Sequence, residues 1–172
     1  MKIDVSDKED VLYICSVSHM HKTISEAIKD AVKKKIQVMY MSFTRPAGII
    51  LSNLAKENLP KDDIVIVDCS GNKEARKHDN VIVIEEEENL TKMSITAFRF
   101  IHQPKEKLLI IDSLNVLIQY NRVEDVSKMI RNIIHKDDEK LTKMLVFYTD
   151  VSNKKAISHI EPFFDNVIEE KL

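Results

Sequence analysis

Glycine is nearly missing from this chain. Gly48 and Gly71 are the only two in 172 residues, where average usage would supply about 12. Neither the dinucleotide fingerprint G-x-G-x-x-G nor an intact phosphate loop G-x-x-x-x-G-K-[ST] can be assembled from them. An excess of one charge sign is absent too: 26 Lys and Arg stand against 28 Asp and Glu, a formal net charge of −2. That balance argues against a broadly basic nucleic-acid binder. With 6% aromatics and no Trp there is no stacking platform for bases either. Cys15 and Cys69, the only cysteines, each adjoin an apolar run and read as buried thiols. The opening MKIDVSDKED has no apolar signal core. No apolar stretch approaches the roughly 20 residues that span a bilayer. A cytoplasmic protein without membrane contact is expected.

What is present is a regular alternation. Continuous apolar runs at 11–15, 36–43, 64–68, 81–84, 108–112 and 145–148 read as strands covered on both faces. A last strand is expected within Phe163 to Ile168. Between the runs lie helical patterns. One starts at Lys22, with Ile24, Ala27, Ile28, Ala31 and Val32 at helical spacing, after a polar turn over Ser16 to His21. Pro46 suits the first turn of the second helix, and Asn89 can cap the helix that carries Leu90, Met93 and Ala97. Gly71-Asn72 reads as a turn, and Glu85 to Glu88 as a solvated acidic run. Alternating strands and helices imply an α/β fold: a three-layer, doubly wound, mainly parallel sheet. One domain over 1–172 is expected, with residues 1–9 a flexible lead. In such a sheet ligands bind beyond the carboxyl ends of the strands. The segments to watch are therefore Ser16 to Thr23, Thr44 to Pro46, Asp112 to Asn115 and Thr149 to Ser152.

Two of these carry fragments of a nucleotide site. A phosphate loop turns backbone N–H groups onto the phosphates, sets a Lys on the terminal ones and a Ser or Thr hydroxyl on Mg²⁺. Laid over Ser16-Val-Ser-His-Met-His21-Lys22-Thr23, the pattern keeps Lys22 and Thr23 but has Ser16 and His21 where glycines belong. Leu108 to Asp112 has the form of the strand whose terminal Asp holds the Mg²⁺ water in phosphate-loop enzymes. Asp112 also suits a plain helix N-cap. His19 and His21 could hold a transition metal, yet no third ligand has a clear spacing. Asp150 either lines the crevice or caps the last helix.

Taken in order, these segments resemble the RecA superfamily, and within it the KaiC-type and RadA-like ATPases of archaea and bacteria. Val38-Met39-Tyr40-Met41-Ser42-Phe43 is similar to that family's second strand, "vlYvS". Leu108 to Leu114 is similar to its metal-site strand, "liIDSl", and Phe164 to Ile168 to its late "aDgvi" strand. The likeness runs from about Val11 to Ile168. It implies a RecA-like fold of the phosphate-loop NTPases. Ser16, His19, His21, Lys22 and Thr23 would be a vestigial phosphate loop, and Thr23 with Asp112 a remnant Mg²⁺ site.

The departures share a direction. The family's catalytic glutamate follows the second strand, where Thr44 and Arg45 stand here, so no general base orients water. If residue 21 keeps a glycine-like φ > 0, its side chain costs roughly 1–2 kcal/mol. With the bulk of the imidazole this weakens nucleotide binding by about two orders of magnitude. The basic hairpin that follows the late strand in the family is expected to be missing, since the sequence ends at Leu172. The resemblance thus implies a pseudo-ATPase that needs no cofactor, takes ATP and Mg²⁺ at low affinity at best, and meets either itself or a related ATPase subunit. The alternatives are a weak ATPase with a deviant loop, and an unrelated flavodoxin-like or receiver-like module with Asp68 as phosphoacceptor.

Overall fold

The computed structural model describes residues 3–71, 78–85, 89–137, 139–150 and 152–170. The expected turn at Asn72 and the glutamates at 86–88 lie outside them. Seven strands form one sheet: β1 (Val11–Ile14), β2 (Gln37–Ser42), β3 (Ile64–Asp68), β4 (Val81–Val83), β5 (Lys107–Asp112), β6 (Thr142–Tyr148) and β7 (Asn166–Glu169). The order is β4-β3-β2-β5-β6-β1-β7, and every adjacent pair is parallel. This is not the 2-1-3-4-5 order of flavodoxin-like and receiver domains, so that alternative is discarded. The helices are α1 (Val17–Lys33), α2 (Ala47–Lys56), α3 (Leu90–Ile101), α4 (Leu114–Tyr120), α5 (Val123–His135) and α6 (Lys154–Ile160), followed by a 3-10 turn at Glu161–Phe163. None of the described helices is long and apolar enough to cross a membrane.

Two hydrophobic cores sandwich the sheet, because side chains on a strand alternate between its faces. Tyr13, Val38, Tyr40, Ile66, Leu108, Ile110 and Phe147 point to α1 and α2, where Met20, Ile24, Ile28, Ile50 and Leu54 meet them. Leu12, Met39, Met41, Leu109, Ile111 and Val146 point to the other face, against Met93, Ala97, Val126, Ile130 and Ile160 of α3, α5 and α6. Strands buried on both faces explain the unbroken apolar runs of β1, β5 and β6.

Three boundaries differ from expectation for physical reasons. Helix α1 starts at Val17, not Lys22, because Ser16 acts as N-cap: its Oγ accepts the His19 N–H at 3.4 Å. Met20, fully buried, extends the apolar stripe of Ile24, Ala27 and Ile28 back by a turn. The expected polar turn is therefore the start of a helix. Asp150 does not cap α6; Asn153 does, accepting the Ala156 N–H at 3.2 Å, while Asp150 accepts the Ser152 N–H at 3.1 Å. Finally, the described part of the expected flexible lead lies against the sheet. Val5 is fully buried, and Asp7 pairs with Lys143, a lysine only 1% exposed. A buried cation needs a counter-charge, and Asp7 supplies it.

Asp10 continues that attachment. Its N–H donates to Asp165 Oδ2 at 2.8 Å, and its Oδ1 accepts the Met144 N–H at 2.9 Å. Burial pushes its carboxyl up to about 6, against the pull of the Met144 hydrogen bond. A folded-state pKa above the unfolded one favours the fold in acid, and that contribution is lost as pH rises through about 6. Asp10→Asn keeps the acceptor without the charge. It should raise unfolding free energy near neutral pH by about 1–3 kcal/mol, a gain that vanishes below about pH 4. Urea titrations across this pH range check it; a gain independent of pH would contradict the assignment.

Candidate functional site at the carboxyl edge of the sheet

Strand β2 is followed by α2 on one face and its neighbour β5 by α4 and α5 on the other. Their carboxyl ends therefore flank a crevice at a topological switch point, where open α/β sheets bind ligands. Asp112, the last residue of β5, sits in register with Ser42 of β2 and is fully buried. Its Oδ2 accepts from Tyr40 Oη, in a short contact, and from Ser42 Oγ at 3.1 Å. Its Oδ1 accepts the Phe43 N–H at 3.0 Å and the Thr44 N–H at 3.2 Å. A carboxylate has about four lone-pair sites, and all of them here are taken by donors from one segment, 40–44. Ser42 Oγ in turn accepts the Arg45 N–H at 3.2 Å. Burial raises the Asp112 pKa, and the hydrogen bond from Tyr40 is the largest of the pulls that oppose it. Burial likewise drives Tyr40 well above its ordinary value, with the Asp112 charge next in size.

Other strand tips are closed in the same way. Asp68, fully buried at the end of β3, accepts the Ala47 N–H at 2.7 Å, the Ser70 N–H at 2.9 Å and the Ser70 hydroxyl at 2.6 Å. It thereby anchors the start of α2, whose cap residue Pro46 brings no side-chain acceptor. Between β5 and β6, Asn115 Oδ1 accepts from Ser113 Oγ, from the Thr149 N–H at 3.1 Å and from Thr149 Oγ1 at 2.9 Å. The Asp112–Ser113 peptide is cis, and Ser113, not Asp112, occupies the cap position of α4.

The five residues expected to form a phosphate loop are not arranged as one. In an α-helix each N–H bonds the carbonyl four residues back, so the N–H groups of His21, Lys22 and Thr23 serve α1 itself. His21 is not among the described residues with positive φ, which are Lys35, Asn58, Lys140 and Gly71; helix geometry, not strain, accommodates its side chain. Ser16 faces Ser18 and His19, and His19 Nδ1 lies 3.4 Å from Glu170. Thr23 lies beside Tyr13 and lines a hollow with Ile3, Glu26 and Asp30. It makes no contact with Asp112, so the expected Thr23–Asp112 metal pair is not assembled. Mg²⁺ does not fit a carboxylate whose acceptors are already filled. His19 and His21, two apart on a helix, point to different surroundings, and no cluster of three His, Cys, Asp or Glu suited to a metal occurs among the described residues.

One part of the expected set does come together. His21, Lys22 and Arg45 line a groove of about 320 Å³ between α1 and α2, with Tyr40 at its floor. Burial lowers the His21 pKa; Arg45 lowers it further and Asp112 opposes. Sequence reasoning misses Tyr40 and Ser42 as partners of Asp112. Two polar residues spaced two apart on one strand, at a tip opposite an acidic strand tip, were the available signal.

A parallel sheet in this order, with helices on both faces, is a RecA-like fold. A KaiC-like protein of Pyrococcus horikoshii superposes with a TM-score of 0.66 at 10% identity, over 95% of this chain and 71% of that one. An uncharacterized protein of the same archaeon, solved with an unknown peptide, gives 0.71 at 12% identity, over 95% and 78%. A third Pyrococcus horikoshii structure gives 0.62 at 14%, over 99% and 84%. Among curated proteins none matches the sequence. Residues 17–162 match the family Elongator subunit Iki1, and the chain belongs to that family.

If Asp112 is a structural anchor, its removal unfolds rather than merely disarms. Asp112→Ala leaves two buried hydroxyls and the Thr44 N–H without acceptors, while the Phe43 N–H keeps the carbonyl of residue 112 at 3.0 Å; it should cost about 3 kcal/mol or more, and Tyr40→Phe about 1 kcal/mol. Urea denaturation without any nucleotide measures both. A stable Asp112→Ala variant would contradict the assignment.

Proposed function

We propose that the chain is a non-catalytic RecA-fold subunit that acts in the cytoplasm through protein–protein contacts, with copies of itself or with a related ATPase subunit. The observation that carries this reading is the fully occupied Asp112 carboxylate. In a phosphate-loop ATPase that strand-end acid is open to the Mg²⁺ shell; here the protein's own donors fill it. Three further features support the reading. The degenerate loop is helical from Val17, so its amides cannot wrap a triphosphate. Thr44 and Arg45 stand where a general base would orient water. The matching family is described as a subunit of Elongator, and a subunit without chemistry contributes surfaces.

The near-neutral charge and scarce aromatics give no nucleic-acid footprint. A weak nucleotide site is the second reading, favoured by one observation: Lys22 is exposed and has no ion-pair partner among the described residues. Isothermal titration with Mg-ATP separates the two. No binding below about 100 μM is expected. Low-micromolar affinity lost in Lys22→Ala would establish the second reading and refute the first.

A further inference from the structure

Among the described residues the sheet ends in two unpaired edges. β4 and β7 are its outermost strands, each paired on one side only. Parallel strands turn alternate residues toward a given neighbour. The Ile66 N–H donates to the Asn80 carbonyl and the Ile84 N–H to the Asp68 carbonyl. The even-numbered residues of β4 therefore face β3, and Val83 faces outward together with the carbonyl of Val81. The Val81 N–H is taken by the His78 carbonyl. On β7 the Asn166 N–H donates to the Asp10 carbonyl and the Glu170 N–H to the Ile14 carbonyl, so Val167 and Glu169 face outward. Each edge also exposes a large apolar side chain on the same face of the sheet, the one that carries α3, α5 and α6. Ile82, in register with Val67, is 39% exposed, and Val167, in register with Leu12, is 43% exposed. Between Ile82 and α3 lies a hollow of about 480 Å³, lined by Val65, Ile82 and the exposed Ile95.

We propose that β7 of one copy of this chain pairs in parallel with β4 of a second copy, continuing the sheet from one molecule into the next. One register satisfies the outward groups of β4. The Val167 N–H donates to the second copy's Val81 carbonyl, the second copy's Val83 N–H to the Val167 carbonyl, and the Glu169 N–H to the second copy's Val83 carbonyl. That register sets Val167 opposite Ile82 and Ile168 opposite Val83, so both strands keep their faces and the two exposed apolar side chains cover one another. Charge selects the same arrangement. Helix α3 runs back from the carboxyl edge of the sheet, with Lys92 near its start and Arg99 near its end, and both line the hollow. Exposed Glu161 precedes β7 at the amino edge, and exposed Glu169 ends it at the carboxyl edge. Glu169 thus meets Lys92, and Glu161 meets Arg99. None of the four forms an ion pair among the described residues. The acids nearest β4, Asp79 and Glu85, lie beyond its two ends. Pairing β4 with β4 would set cations against cations, and β7 with β7 acids against acids, which disfavours both. The contact joins two different surfaces, so each added copy leaves a free edge for the next. The proposal rests on the reading of the chain as a contact-making subunit and names the surfaces.

The test is sedimentation of the full chain with one edge blocked at a time. Proline is tolerated on an edge strand where its missing N–H would face outward, so Val83→Pro blocks β4 and Val167→Pro blocks β7 without breaking the existing ladder. The unaltered chain should grow in mass beyond a dimer as its concentration rises to about 200 μM. Each variant alone should stay monomeric, and an equal mixture of the two should form a dimer and stop there, since only one junction can be made. Circular dichroism checks that both variants fold. Where either does not, Ile82→Lys and Val167→Lys, at exposed positions, take their places with the same three outcomes expected. An unaltered chain that stays monomeric, a single blocked variant that still associates, or a mixture that stays monomeric would each overturn the pairing. Tight Mg-ATP binding is a separate result, which sinks the parent reading and leaves the sedimentation outcome standing on its own.

Discussion

A single buried carboxylate organises the edge on which a ligand would be sought. Asp112 is fully buried, and the segment from Tyr40 to Thr44 folds over it with two hydroxyls and two backbone amides. Burying an ionised acid is costly unless its acceptors are filled, and here they are filled from one neighbouring strand and the turn that follows it. The same contacts fix the path of the chain into α2 and place Arg45 beside the α1/α2 groove. One arrangement thus both holds the edge together and closes it. An acid that serves as a staple for the adjacent loop has no free lone pair for a metal's water.

The surrounding tips follow the same rule. Asp68 holds the start of α2, and Asn115 holds the turn after β6. A ligand-binding edge ordinarily keeps unpartnered donors turned to the crevice. In this protein the acids at the tips of β3 and β5 are answered by hydroxyls and amides of the chain itself. Lys22, Arg45 and Lys56, which form no ion pair among the described residues, line the groove between two helices.

Much of the architecture is legible in the residues. Strands buried on both faces leave unbroken apolar runs, so β1, β2, β3 and β5 can be placed nearly to the residue. Helix α1 begins a turn before its evident pattern because Ser-Val-Ser-His-Met-His looks polar as a stretch, while Met20 alone carries the register inward. The lead at 3–9 looks too charged to pack; what packs it is an ion pair to a buried lysine on a distant strand, a relation that local patterning does not encode. For the site, spacing picks out Lys22, Thr23 and Asp112, yet spacing says nothing of direction. Thr23 turns to Tyr13, and Asp112 turns to Tyr40 and Ser42. Ser42 and Asp112 are 70 residues apart in the chain. The Tyr40-x-Ser42 spacing marks one polar face at the tip of β2, but only the pairing of β2 with β5 sets that face opposite Asp112.

The most direct measurement is amide hydrogen exchange at Thr44, whose N–H ends on the Asp112 carboxylate. With no nucleotide present, this amide should be protected from exchange, and Mg-ATP should leave its rate unchanged. Fast exchange in the free protein that slows when Mg-ATP is added would mean that Asp112 is open to a ligand after all, and would contradict the account.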